Sequence, residues 1–284
     1  MLKLTRRIVA KMFEVLAGTL FLLPVTQFVW RQMSRHAIGQ AGDLKVAIVA
    51  HTFYPQLVAE IVHCWEVVKE ANGGRADLLI TTTAELADQL RLELGERAGL
   101  EVHTMANRGR DIAPFVSLLN KGVLDRYDAV LKLHTKRSPH LMTGNLRRRL
   151  LFAVLVGHAA NVRRTLALFE DRSIGIVGWR LSFRRNLGWW MGNKARIAEL
   201  ARRTVPPLPP SVGFFEGSMF WVRPQALAPL KALSLSTEDF ELEERQVDGA
   251  LHHAIERVFT LAAWAEGYSV RSLRGTVLTP GPAS

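Results

Sequence analysis

The chain has 284 residues, 48% of them hydrophobic, a single cysteine and a formal net charge of +11. This length and apolar content support a buried core and exclude disorder as the governing state. One cysteine, Cys64, excludes an internal disulfide framework and suits a reducing compartment. The positive surplus calls for an anionic partner: nucleic acid, a membrane surface or a sugar nucleotide.

Lys3, Arg6, Arg7 and Lys11 open the chain, and an apolar stretch from Met12 to Trp30 follows, interrupted by Glu14 and Pro24. The interruptions and the lack of a small-residue cleavage site speak against a signal peptide. The stretch barely reaches the roughly 20 apolar residues a spanning helix needs. Residues 1–42 are therefore expected to be a membrane-associating helix and linker, its cations on anionic headgroups. The alternative is a helix packed on the globular domain. The expected location is cytoplasmic, peripheral or N-terminally anchored at the inner face of the cell membrane.

Strand and helix signals then alternate. Lys45–Ala50 reads as a buried strand, Pro55–Ala71 as a helix and Asp77–Thr82 as a second strand. A helix is predicted over Ala84–Arg97, N-capped by Thr83, and a strand over Gly99–Met105. Pro114–Lys121 reads as a helix, Asp128–His134 as a strand, and Gly144–Glu170 as one long or broken helix. Ser173–Gly178 and Gly217–Val222 read as further strands. Helices are expected at Asn193–Arg203, Pro224–Leu233 and Glu243–Glu266, with proline-rich Thr204–Pro210 extended. The fold class is α/β, a mostly parallel central sheet flanked by helices. Residues 43–275 form one domain, and 276–284 a flexible tail. Ligands of such sheets bind beyond the carboxyl ends of the strands, which selects His51, Thr82, Asn107 with Arg108, and His134 with Lys136.

Three constellations carry chemistry. In Asn107-Arg108-Gly109-Arg110-Asp111 the glycine permits a tight turn that brings two guanidinium forks to one place, a match for a diphosphate. Asp111 suits a sugar or ribose hydroxyl, an arginine, or the cap of the next helix. In the second, a strand ends in His134-Thr135-Lys136, where nucleotide-sugar transferases of the commonest α/β type often carry a metal-binding Asp-x-Asp. A lysine ammonium there can neutralise a departing diphosphate without a divalent ion. The third supplies carboxylates for the proton of an acceptor hydroxyl: Asp248 first, Glu244 second, Glu216 third. His252 and Glu256 lie four apart on one helical face, but no second pair with zinc-like spacing exists, so no metal site is expected. Trp179, Trp189, Trp190 and Trp221 suit core packing or stacking on sugar or lipid. P-loop, dinucleotide-fingerprint and hydrolase-elbow motifs are absent from the sequence.

Together, the opening strand with His51 and Tyr54-Pro55, NRGRDIAPF at 107–115, YDAVLKLHTKRS at 127–138, GWR at 178–180, FFEGSMFWVRPQAL at 214–227 and QVDGALHHAIERVF at 246–259 resemble the rhamnan synthesis protein F family. The resembling segments run across roughly residues 45–270 and leave out the first 40. The resemblance implies a glycosyltransferase of surface-polysaccharide assembly with a GT-A-like fold. It implies dTDP-rhamnose as donor and a lipid-linked or growing glycan as acceptor.

On these grounds the chain is expected to be an inverting glycosyltransferase working without a metal cofactor. His51, Asn107, Arg108, Arg110, Asp111, His134 and Lys136 would hold the donor. The alternative is a non-catalytic membrane-associated subunit of a polysaccharide-assembly complex. Nucleic acid is not the expected partner, because the basic residues are dispersed and no nucleic-acid module is present.

Overall fold

The computed structural model describes residues 43–135, 144–185, 187–209, 211–244 and 248–281. The expected membrane helix, Lys136 and the last three residues of the tail lie outside these.

The chain runs through β1 (Val46–His51), α1 (Val58–Ala71), β2 (Asp77–Thr82), α2 (Ala84–Leu94), β3 (Leu100–Thr104), α3 (Ile112–Asn120) and β4 (Ala129–His134). It continues through α4 (Gly144–Leu155), α5 (Ala159–Leu168), β5 (Ile174–Gly178), β6 (Phe183–Arg184), α6 (Lys194–Arg203), β7 (Phe214–Phe215) and β8 (Phe220–Val222). The last elements are α7 (Ala228–Ala232), α8 (Leu251–Ala265), β9 (Ser269–Ser272) and β10 (Val277–Leu278).

Eight strands form one sheet in the order β3-β2-β1-β4-β8-β5-β9-β10. The first four are parallel, β8 runs antiparallel to both of its neighbours, and β5 and β9 are parallel. The architecture is thus α/β with a mostly parallel sheet, consistent with a GT-A-like fold. Both faces are covered, so β1 and β2 read as continuous apolar runs. Val46, Ile48 and Ala50 join a core with α1 and α5, while Ala47 and Val49 join a second core with α3 and α8.

The same two-residue alternation positions the site. On β4, Leu131 and Leu133 face the α1 side, whereas Val130 faces α3 and α8. Lys132 and His134 follow Val130 on that second face. Lys132 is 1% exposed and lies 5.7 Å from the Phe115 ring and 5.8 Å from that of Phe259.

The region 144–170, expected as one long or broken helix, is broken into two helices at Gly157 (φ +40°). Three expectations are corrected. The last long helix starts at Leu251, after Gly249 at φ +84°, so Glu243, Glu244 and Asp248 precede it rather than forming its first turns. Residues 276–284 are not wholly a tail, because Val277 and Leu278 pair with β9 as an edge strand. The sequence pattern also missed β6, β7 and β9, which are too short for a periodic signal.

Candidate functional site

A cleft of about 280 Å³ opens beyond the carboxyl end of β4. The start of α3, the turn before β8, the residues leading into α8 and the segment around Trp189 enclose it. Five residues selected from the sequence line it: Arg110, Asp111, His134, Glu216 and Asp248.

The turn before α3 winds through Gly109 (φ +61°) and Arg110 (φ +55°). A Cβ on Gly109 would lie 2.6 Å from Ala113 Cβ and from the Phe240 ring, so only glycine fits. This turn separates the two arginines. Arg110 faces the cleft and donates to both carboxylate oxygens of Glu243, at 2.8 and 3.0 Å. Arg108 points away and donates to the carbonyls of Glu238 and Phe240 at 3.3 and 3.2 Å, fastening the 238–242 segment. Asn107 is exposed, and neither it nor Arg108 lines the cleft. The expectation of two converging guanidinium groups is therefore corrected to one.

Asp111 occupies the N-cap position of α3 without making a side-chain cap. Its carboxylate pairs instead with Lys132 Nζ at 2.5 Å, and Lys132 also donates to the Ser218 carbonyl at 3.0 Å. The sequence suggests a cap, an arginine or a sugar hydroxyl for Asp111; its partner is this lysine instead. The signal was there: a lysine inside an apolar strand needs a buried partner.

His134 Nε2 donates to the Gly217 carbonyl at 2.9 Å. His51 sits beside His134 in the β1–β4 register, with Nδ1 3.1 Å from Thr81 Oγ1. Burial lowers its pKa to about 4, more than the Asp111 charge raises it, so it is a neutral support under the site rather than a wall of it.

The turn Glu216–Ser218 forms the floor. Gly217 (φ +94°) and Ser218 (φ +52°) are both left-handed, and Gly217 N–H donates to Glu256 Oε1 at 3.0 Å. Glu216 is gripped by Arg147 Nη1 at 3.0 Å and by Arg184 Nε and Nη2 at 2.8 and 2.7 Å. Burial pushes its carboxyl up, but the two guanidinium groups outweigh this and hold it at about 2. A carboxylate so restrained is a poor proton acceptor.

Asp248 accepts from Gly192 N–H and from Asn193 Nδ2, both at 2.7 Å. Burial opposes its ionisation, but these bonds prevail and hold it below the usual carboxylate range. Arg257 fastens the same segment through the Trp189 carbonyl at 2.9 Å and Met191 Sδ at 3.6 Å. Asp248 thus anchors the cleft rim that carries Trp189. Glu244 is exposed and does not line the cleft.

Among the described residues no group of three or more His, Cys, Asp or Glu is placed to hold a metal ion. His252 and Glu256 do share one helical face toward the cleft, as their spacing predicts. No helix of the described residues is long and apolar enough to cross a membrane.

The model of the rhamnan synthesis protein F family matches residues 7–268. The match therefore extends over most of the N-terminal segment that the motif resemblance left out. Two curated relatives, both carrying the name "Uncharacterized protein WxcX", come from two strains of Xanthomonas campestris pv. campestris. Each is 30% identical over 269 residues, covering 90% of this chain and 38% of the relative. The chain thus spans well under half the length of these relatives.

Proposed function

This chain belongs to the rhamnan synthesis protein F family, and on that premise we propose that it is a glycosyltransferase of surface-polysaccharide assembly. The family supports a part in rhamnan or related polysaccharide synthesis. The finer reading is inverting transfer of a sugar, rhamnose first among the choices, from a nucleotide-sugar donor to a lipid-linked or growing glycan.

One observation carries this reading. Arg110, Asp111, His134, Glu216 and Asp248 are far apart in sequence, yet they line a single cleft where α/β sheets bind their ligands. Arg110 is the side chain best suited to a diphosphate, because its fork is one-quarter exposed and held ready by Glu243. Lys136, two residues beyond the end of β4, is assigned to the leaving diphosphate, and the transfer is assigned no metal ion. The basic N-terminal segment is assigned to the inner face of the cell membrane.

The test is sugar transfer from dTDP-rhamnose to a lipid-linked glycan by the purified chain, with and without a chelator. Transfer is expected in both conditions, with the donor KM raised on the order of tenfold or more in R110A. Failure of every nucleotide sugar to react or to raise the melting temperature overturns the transferase reading. Activity lost to the chelator and restored by manganese overturns only the metal-free part.

A second reading, a non-catalytic membrane-associated subunit, is favoured by one feature: Arg110 and Arg147 are already matched by Glu243 and Glu216. Saturable binding of dTDP-rhamnose that disappears in R110A decides against it.

A further inference from the structure

We infer that His252, not one of the acidic residues, takes the proton of the acceptor hydroxyl during transfer. This rests on the transferase reading above and deepens it.

His252 lies in the first turn of α8, 4% exposed, and lines the cleft. Neither ring nitrogen has a hydrogen-bond partner among the described residues. A buried polar atom left without a hydrogen bond carries an uncompensated desolvation cost, so such atoms in a cleft mark where a ligand's polar groups complete the set. Ser218, 3% exposed, lines the same cleft with its Oγ likewise unpartnered. A donor and an acceptor, both buried and without a hydrogen-bond partner among the described residues, suit a sugar hydroxyl, which itself gives one hydrogen bond and takes others.

Each carboxylate of the cleft is occupied. Asp111 holds Lys132, Glu216 holds two arginines, Asp248 holds Gly192 and Asn193, and Glu256 holds Gly217. Removing any of them from its partner to receive a proton would leave a buried cation or amide without compensation. His252 has no such duty. The groups acting on it are Arg110, Asp111, Glu243, Glu241 and the tilted ring of His253, 4.0 Å away. Burial, then the Arg110 charge, lower its pKa to about 4, so its ring is neutral at pH 7 with a lone pair free.

In the step, the acceptor O–H proton passes to a His252 nitrogen as the acceptor oxygen bonds to the sugar's anomeric carbon. The bond from that carbon to the diphosphate oxygen breaks, and the nucleoside diphosphate leaves with the electron pair. The imidazolium then returns its proton to solvent.

The experiment measures transfer by the full chain as wild type, H252A and H252Q, each checked for an unchanged melting transition. Expected is a fall in kcat on the order of 100-fold or more with donor KM nearly unchanged, and partial restoration of H252A by added imidazole. If both variants keep turnover within about fivefold of wild type, or lose donor affinity in step with kcat, the inference is overturned while the transferase reading stands. Should the wild type transfer no sugar from any donor, the two fall together.

Discussion

Replacing Glu216 with glutamine removes the charge that Arg147 and Arg184 share while keeping the side chain's shape. The carboxyl sits at about 2 in the folded chain against an ordinary 4.5. At about 1.4 kcal/mol per tenfold change in proton affinity, the ionised form contributes roughly 3 kcal/mol to stability. Little solvent screening applies, since the side chain is 18% exposed. The sign follows from the lowered value: the contribution is complete above 4.5 and fades as pH falls toward 2. Urea unfolding of wild type and E216Q at pH 7 should show the variant less stable by roughly this amount. Repeating the pair at pH 4 and pH 3 should show the gap closing as the wild-type carboxyl takes up its proton in the unfolded chain, while the folded chain still holds it ionised. A gap that stays constant with pH, or one below about 0.5 kcal/mol at pH 7, would refute the clamp.

The buried Lys132–Asp111 pair gives a second test. K132M should cost about 3–5 kcal/mol by stranding the Asp111 carboxylate, and D111N/K132M should cost clearly less than the two single changes summed; strict additivity in denaturant melts would show the pair to be uncoupled. G109A should lose at least about 2 kcal/mol more than G95A, because both backbones are left-handed but only Gly109 has neighbours within 3 Å of a new Cβ. Equal melting temperatures for the two variants would contradict this. In D248N the Trp189–Asn193 rim should loosen, raising the acceptor KM more than it lowers kcat. A kcat collapse at unchanged KM would return Asp248 to the role of base.

Much of the sheet was legible because its inner strands are short apolar runs between glycines and polar turns. DAVLKLH could be placed and ended correctly, and with it the cleft. The partners of its charged residues could not, because they depend on which strand face meets which helix. Lys132 reaches Asp111 only because β4 puts every second residue toward α3. The helix over 243–266 was read too long because glutamates are good helix formers. Gly249 was the visible stop signal, and a tertiary bond from Gly192 to Asp248 confirms the loop there. NRGRD was recognisable as a phosphate-like motif, but two successive left-handed residues send its arginines to different tasks.

Antiparallel β8 is the spine on which two leaves of the molecule are bound. One leaf, β3-β2-β1-β4, carries Arg110, Asp111 and His134. The other, β5-β9-β10 with α8, brings His252 and Asp248, and the turn entering the spine supplies Gly217 and Ser218. A fragment ending before residue 144 would own the arginine and none of the residues opposite it. The site exists only while the book is closed on its spine, so unfastening β8 from β4 should abolish ligand binding before either leaf melts.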